Sequence, residues 1–155
     1  MDIRPLAPQD RPQLEQLLRR IETFTPDEVT CALELIDIAL KPDSVDYQVF
    51  VGVREGQVVG YVCYGPTPMT DGTFDLYWVA SDPKVRGQGV GAAVVSAMEG
   101  DIRRRKGRMI RVETSAMEAY GPTRGFYASM QYREEARFRD FYRPGEDLII
   151  LAKRL

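Results

Sequence analysis

The sequence of 155 residues contains no histidine. That absence removes Ser-His-Asp and Cys-His nucleophilic chemistry and most zinc sites, because each depends on imidazole. Cysteine is scarce as well. Cys31 and Cys63 give neither a disulfide framework nor a CxxC metal spacing. No apolar run approaches the ~20 residues that span a bilayer as a helix. The opening MDIRPLAPQDR is charged and interrupted by proline, unlike a secretory signal. A basic excess is also missing, and a formal net charge of −2 argues against general nucleic-acid binding. These exclusions leave the expectation of a soluble cytoplasmic protein with no metal, no membrane and no nucleic acid as partner.

What is present is enough for one core. Apolar residues make up 44% of the chain, and no linker, repeat or low-complexity segment divides it, so residues 1–155 are read as a single domain. DIRPL reads as a short strand. Leu14, Leu17, Leu18 and Ile21 recur at helical spacing. TPDE at 25–28 is a helix start, with Thr25 as N-cap, Pro26 in the first turn and Glu28 closing a capping box. YQVFVGV, REGQ and VVGYVCYG read as a β-hairpin, and TFDLYWVAS as a further strand. A helix follows to about Lys106, with Gly107 expected to end it. RMIRVETS is a strand, and Pro122 opens a short helix through Tyr127. YREEARFRDFY and DLIILAKRL form a last strand pair around RPGE, whose Pro-Gly suits a type II turn. This order implies a mixed α/β (α+β) fold with a mostly antiparallel central sheet flanked by helices.

The stretch VASDPKVRGQGVGAAVV, residues 79–95, runs from strand to helix through Gly87, Gly89 and Gly91. Glycine costs about 1 kcal/mol relative to alanine inside a helix, so three of them at a helix start need a reason. A helix N-terminus offers unpartnered N–H groups and partial positive charge, and glycine lets the backbone approach an anion closely. RGQGVG therefore has a rationale as a pyrophosphate cradle; the alternative is a tight turn with close helix packing. Two other phosphate fingerprints do not fit. Val90-Gly91-Ala92 stands where a P-loop needs Gly-Lys-Ser/Thr. The preceding strands form hairpins, not the βαβ unit of a dinucleotide fold, although Glu113 lies at roughly the right distance.

Arg86, Gly87, Gln88, Gly89, Val90 and Gly91 resemble the acyl-CoA motif of the GNAT superfamily of N-acyltransferases, Gln/Arg-x-x-Gly-x-Gly/Ala. DLYWVASDP and GAAVVSAM are similar to the strand, Asp-Pro turn and small-residue helix that flank it. FYASMQY at 126–132 is similar to a later Phe-Tyr-x-x-x-Gly-Phe segment, with Gln131 in place of the glycine and Tyr132 in place of the phenylalanine. The element order agrees along nearly the whole chain. The resemblance implies acetyl-CoA as cosubstrate. Its pyrophosphate would lie on the glycine turn with Arg86 as an added contact, and its pantetheine arm would pair with the backbone of Val79, Ala80 and Ser81. One of those N–H groups would face the thioester oxygen as an oxyanion donor.

Attack on the thioester needs a neutral amine, a base for its proton, and a donor for the departing thiolate. Without histidine, carboxylates and tyrosines are the candidates. Tyr127 holds the position that in the family commonly protonates the thiolate. Asp75 lies where some members carry a glutamate base. Glu113, on the strand expected beside the cofactor, is the alternative, and alternation puts it on one face with Arg111 and Ser115. Tyr120 replaces an asparagine that often touches the cofactor. Other features invite blander readings. RRRK at 103–106 suits the negative end of a helix dipole better than RNA. Glu34 and Asp37 could attract a cationic acceptor or simply be solvated. Tyr61, Tyr64, Tyr77, Trp78, Phe138, Phe141 and Tyr142 could line an acceptor pocket, but alternation sends about half of them to the core.

The implied function is N-acetyl transfer to a primary amine by direct attack in a ternary complex. The acceptor is either a small molecule or a protein N-terminus or lysine. The alternative is a non-catalytic acyl-CoA-binding or sensor module of the same fold. Family precedent and the terminal strand pair imply a homodimer.

Overall fold

Strand β3 (Gln57–Pro66) is buried at eight consecutive positions, which places it inside a sheet covered on both faces. The structure, a computed structural model, describes residues 1–155. In chain order it contains β1 (Asp2–Pro5), α1 (Arg11–Arg19), α2 (Pro26–Ala39), β2 (Gln48–Arg54), β3, β4 (Thr73–Ser81), α3 (Val90–Arg104), β5 (Met109–Ser115), α4 (Gly121–Ser129), β6 (Arg133–Arg143) and β7 (Glu146–Arg154). The seven strands form one mixed sheet in the order β1-β2-β3-β4-β5-β7-β6. Every neighbouring pair is antiparallel except β4 and β5. No helix is long and apolar enough to cross a membrane.

Side-chain alternation on β3 divides the core in two. Tyr61 and Cys63 face α1 and α2, where Leu14, Leu17, Leu18, Ala32 and Ile36 are fully enclosed. Val62 and Tyr64 face α3, packing with Val94, Val95, Met98 and Ile102. Each enclosed leucine contributes about 1.5–3 kcal/mol of transfer free energy. Local chemistry sets the element ends. Thr25 and Glu28 form the reciprocal capping box of α2. Glu55 and Gly56 take φ of 52° and 76°, the type I′ geometry that matches strand twist in a two-residue hairpin.

Two irregularities in β4 shape the functional region. Pairing with β3 steps from Cys63↔Trp78 to Tyr64↔Leu76, so Tyr77 is the extra residue of a β-bulge. Pairing with β5 covers only Thr73↔Met109, Phe74↔Ile110 and Asp75↔Arg111. Beyond Asp75 the two parallel strands part. One edge of β4 from Leu76 to Ser81 then has no strand partner, so backbone groups on that edge face an opening.

The end of α3 departs from expectation. Gly107 was expected in the left-handed seat that closes the helix, but Lys106 occupies it with φ 60°. Lys106 N–H bonds Arg103 C=O and Gly107 N–H bonds Ile102 C=O, the Schellman pattern. Gly107 is needed for space instead, since a Cβ there would come within 2.3 Å of Ile102 and 2.9 Å of Phe74.

Candidate active site

The opening between β4 and β5 continues into a cleft of ≈ 570 Å³. One wall is the α1–α2 connection, with Ile21, Thr23 and Phe24. The floor is the end of β4, Val79 to Ser81. The far wall is the segment leading into α4, with Ala119, Pro122, Thr123 and Phe126. The glycine turn closes one end. Of the cofactor candidates, Val79, Ala80, Ser81, Arg86, Gly87, Gly89, Val90 and Gly91 line the cleft. Gln88 does not; its side chain turns outward and accepts a hydrogen bond from Arg54 at the end of β2.

The three glycines do different work. Gly87 and Gly89 adopt φ of 77° and 80°, a region that costs other L-residues ~1–2 kcal/mol. Nothing lies within 4 Å of where a Cβ would sit on either, so the backbone there is bare toward solvent. Gly91 is already helical, and a Cβ on it would lie 3.3 Å from the Phe126 ring, so it serves the contact between α3 and α4. The first intrahelical bond of α3 runs from Ala93 N–H to Gly89 C=O at 3.0 Å. The amides of Val90, Gly91 and Ala92 are therefore left without helical partners at the positive end of the dipole. The first turn of α3 carries no acidic side chain and no side-chain cap to consume that potential.

The residues proposed for proton transfer occupy three different environments. Tyr127 is 4% exposed, with its ring between Phe126 and Tyr132 at centroid distances of 5.4 and 5.7 Å. It does not line the cleft, whereas its neighbour Phe126 does. Burial holds its phenol above the ordinary tyrosine pKa. Asp75 is buried. It accepts from Arg111 Nε at 2.7 Å and Thr67 Oγ1 at 2.7 Å, with the Tyr77 hydroxyl at 3.5 Å. Glu113 is exposed on the same face of β5 as Arg111 and Ser115, as alternation requires.

Glu113 has company that the sequence did not reveal. Ser115 Oγ donates to Glu146 Oε2 at 2.7 Å, and Arg143 pairs with the same carboxylate. Tyr142 feels burial first, then Glu113, Glu146, Tyr120 and Glu28, and these raise its phenol pKa. Tyr120 is raised by burial, then by Glu28 and Glu146. The phenols of Tyr120, just before α4, and Tyr142, on β6, thus lie within electrostatic range of carboxylates from α2, β5 and β7. Glu28 was read only as a cap, Tyr120 only as a missing asparagine, and Glu146 not at all. No local signal could have joined them, because they lie on elements far apart in sequence.

The remaining candidates prove ordinary. Asp37 pairs with Arg11 at 3.0 Å and ties α2 to α1, while Glu34 is exposed. Arg103, Arg104 and Arg105 pair along their own helix with Glu99 and Asp101. Tyr61 and Tyr64 are core; Tyr77, Phe138 and Phe141 are exposed.

A family profile described as an acetyltransferase (GNAT) domain matches residues 45–134. Among solved structures, a GNAT-family acetyltransferase of Desulfovibrio desulfuricans superposes with TM-score 0.94 at 36% identity, covering 99% of this chain and 98% of that one. The ribosomal-protein-S18-alanine N-acetyltransferase of Escherichia coli shares the fold with TM-score 0.78 at 21% identity, over 99% of this chain and 92% of that one. An aminoglycoside 6′-N-acetyltransferase complexed with coenzyme A does so with TM-score 0.78 at 18% identity, over 99% and 97%. No curated protein matches the chain. The profile covers more than half of the sequence and the 36% identity extends almost end to end, so the chain belongs to the GNAT acetyltransferase family.

Proposed function

We propose that this protein transfers an acetyl group from acetyl-CoA to a primary amine, with the amine attacking the thioester directly in a ternary complex. The observation that carries this reading is the glycine turn. Bare backbone at Gly87 and Gly89 adjoins three free amides at the α3 N-terminus, with no carboxylate competing, at one end of a cleft floored by an unpaired strand edge. That donor set fits a pyrophosphate. Bound acetyl-CoA would supply an activated acetyl thioester. Val79 to Ser81 would hold its pantetheine arm by backbone hydrogen bonds, and one β4 N–H would stabilise the negative charge developing on the thioester oxygen.

Glu113 is the better candidate for the base. It is exposed and lies within electrostatic range of Tyr142, with no ion pair to occupy its carboxylate, so it is free to take a proton from an incoming ammonium. The Asp75 carboxylate is already committed to Arg111 and Thr67, which favours a structural role. Tyr127 would return a proton to the departing thiolate sulfur, and its burial keeps that proton in place. The acceptor side is acidic and aromatic, in keeping with a cationic amine. Relatives of the fold act on a ribosomal-protein alanine and on aminoglycosides, so both a protein N-terminus or lysine and a small-molecule amine belong in the assay.

The experiment is thiol release from acetyl-CoA across polyamines, aminoglycosides and peptides, alongside calorimetric titration with CoA. Gly89→Asp should abolish CoA binding with the circular dichroism unchanged. Unaltered CoA affinity in that variant would remove the cradle reading. Binding without turnover on any amine would favour the sensor module instead.

A further inference from the structure

Three backbone bonds shape the first part of the turn, from Val85 N–H to Asp82 C=O, Arg86 N–H to Pro83 C=O and Gln88 N–H to Val85 C=O, but the glycines themselves are unpacked. Nothing lies within 4 Å of a Cβ position at Gly87 or Gly89, so no side-chain packing restrains that part of the backbone and ties from outside add to its order. Two side chains hold it, one near each end. At the start, Asp82 is 7% exposed, and its N–H bonds Val59 C=O at 2.8 Å. Asp82 Oδ1 accepts from Lys84 N–H at 3.0 Å, which shapes the turn over 83–85. Asp82 Oδ2 accepts from Arg20 Nη2 at 2.5 Å, and Arg20 is the C-cap of α1. Near the end, Gln88 Oε1 accepts from Arg54, the last residue of β2. Arg20 and Arg54 are exposed enough to be dispensable for the core, yet they fix the two ends of one short loop.

The geometry points to Arg20 and Arg54 as positioning residues. They preorganise the 82–89 turn for the CoA pyrophosphate, Arg20 through Asp82 and Arg54 through Gln88. The Arg20 tie also joins the α1–α2 wall to the end of the cleft that the glycine turn closes, because Ile21, Thr23 and Phe24 follow close behind Arg20. Burial opposes the Asp82 charge, but the Lys84 amide and Arg20 outweigh it and hold the carboxyl below its usual range. The tie is therefore intact at neutral pH. A loop held in its bound conformation spares the ligand the ordering cost, so loss of a tether should weaken affinity without touching the reacting atoms.

This inference rests on the reading of the turn as a phosphate cradle, and the test separates the two. CoA is titrated by calorimetry, and pantetheine, which lacks the pyrophosphate, by NMR. Arg20→Ala and Arg54→Ala should each raise the Kd for CoA about five-fold or more, the loss expected when binding must order the loop. Their Kd for pantetheine should equal that of the wild type. Arg20→Lys should recover part of the loss. Gln88→Ala should match Arg54→Ala, and the double variant should be no worse than either, since both cut one tether. Unchanged CoA affinity in Arg20→Ala and Arg54→Ala, beside a Gly89→Asp variant that cannot bind CoA, overturns the tethers and leaves the cradle standing. Equal weakening toward CoA and pantetheine also overturns the proposal, because it marks a general loss of structure. CoA binding that survives Gly89→Asp removes the cradle itself.

Discussion

Asp75 and Arg111 are cross-strand partners whose side chains meet at 2.7 Å on the last residue pair before β4 and β5 part. The ion pair stands at the apex of the opening that the proposed chemistry uses. The Asp75 side chain is 10% exposed, so Arg111 and Thr67 take the place of water around its oxygens. Arg111→Ala leaves that carboxylate with the Thr67 hydroxyl and the distant Tyr77. The expected cost is about 1–3 kcal/mol, the penalty for an under-satisfied buried acceptor. Urea denaturation at neutral pH measures it. Asp75→Asn should lose a similar amount and should retain turnover at saturating substrates within a few-fold. A loss of turnover with stability preserved would instead give Asp75 the role of base.

Glu113 offers the opposite pattern. Its side chain is exposed and forms no ion pair, so Glu113→Gln should shift stability by no more than about 0.5 kcal/mol. If Glu113 accepts the amine proton, turnover falls by roughly 10²-fold or more, the scale for a positioned general base. CoA affinity stays unchanged by calorimetry, because Glu113 is not among the residues that line the cleft beside the glycine turn. Wild-type turnover in this variant would leave the neutral amine to be supplied by water.

The architecture was legible because it depends on short-range signals. The Thr25–Glu28 capping box, the β2–β3 hairpin and the strand-glycine-helix passage at 79–95 all survive into the structure. What stayed hidden depends on tertiary contact. Asp75 is read as a possible base because nothing near it in sequence announces Arg111, 36 residues away. Glu146 and Tyr142 join Glu113 only because the terminal hairpin packs β7 against β5. The helix ends were misread by one residue for another reason. Gly107 was assumed to supply conformational freedom, but steric room is what it supplies, and Lys106 tolerates the left-handed seat.

Gln131 repeats that substitution in α4. It sits at φ 70°, and its N–H bonds Ala128 C=O while Tyr132 N–H bonds Tyr127 C=O, another Schellman closure. The left-handed seat costs a non-glycine residue ~1–2 kcal/mol, and glycine returns ~0.4–1 kcal/mol of that through a freer unfolded chain. Gln131→Gly should therefore stabilise the fold by up to about 1 kcal/mol. The readout is a higher urea midpoint at constant slope. A lower midpoint would mean that the glutamine side chain contributes more than its backbone costs.

Tyr127 separates chemistry from packing, and pH separates them further. Tyr127→Phe keeps the ring that packs against Phe126 and Tyr132 and removes only the hydroxyl. If that hydroxyl protonates the leaving thiolate, turnover falls by roughly 10²-fold or more, and CoA affinity hardly moves. The loss should shrink with an acyl donor whose thiol is more acidic, since a better leaving group needs less help. Burial raises the phenol above its ordinary pKa of about 10, so the donor form persists through that pH and Tyr127 adds no alkaline limb below it. The linked stability has a definite sign. The folded state keeps the proton after the unfolded chain has lost it, so stability is flat below about pH 10 and declines as pH rises beyond it. Tyr61, Tyr64 and Tyr132 are raised by burial in the same direction and add to the decline. In Tyr127→Phe the alkaline loss should be smaller than in the wild type, by the share of one tyrosine. An equal turnover loss with both acyl donors, or none with either, would leave Tyr127 as a packing residue whose only signature is that alkaline difference.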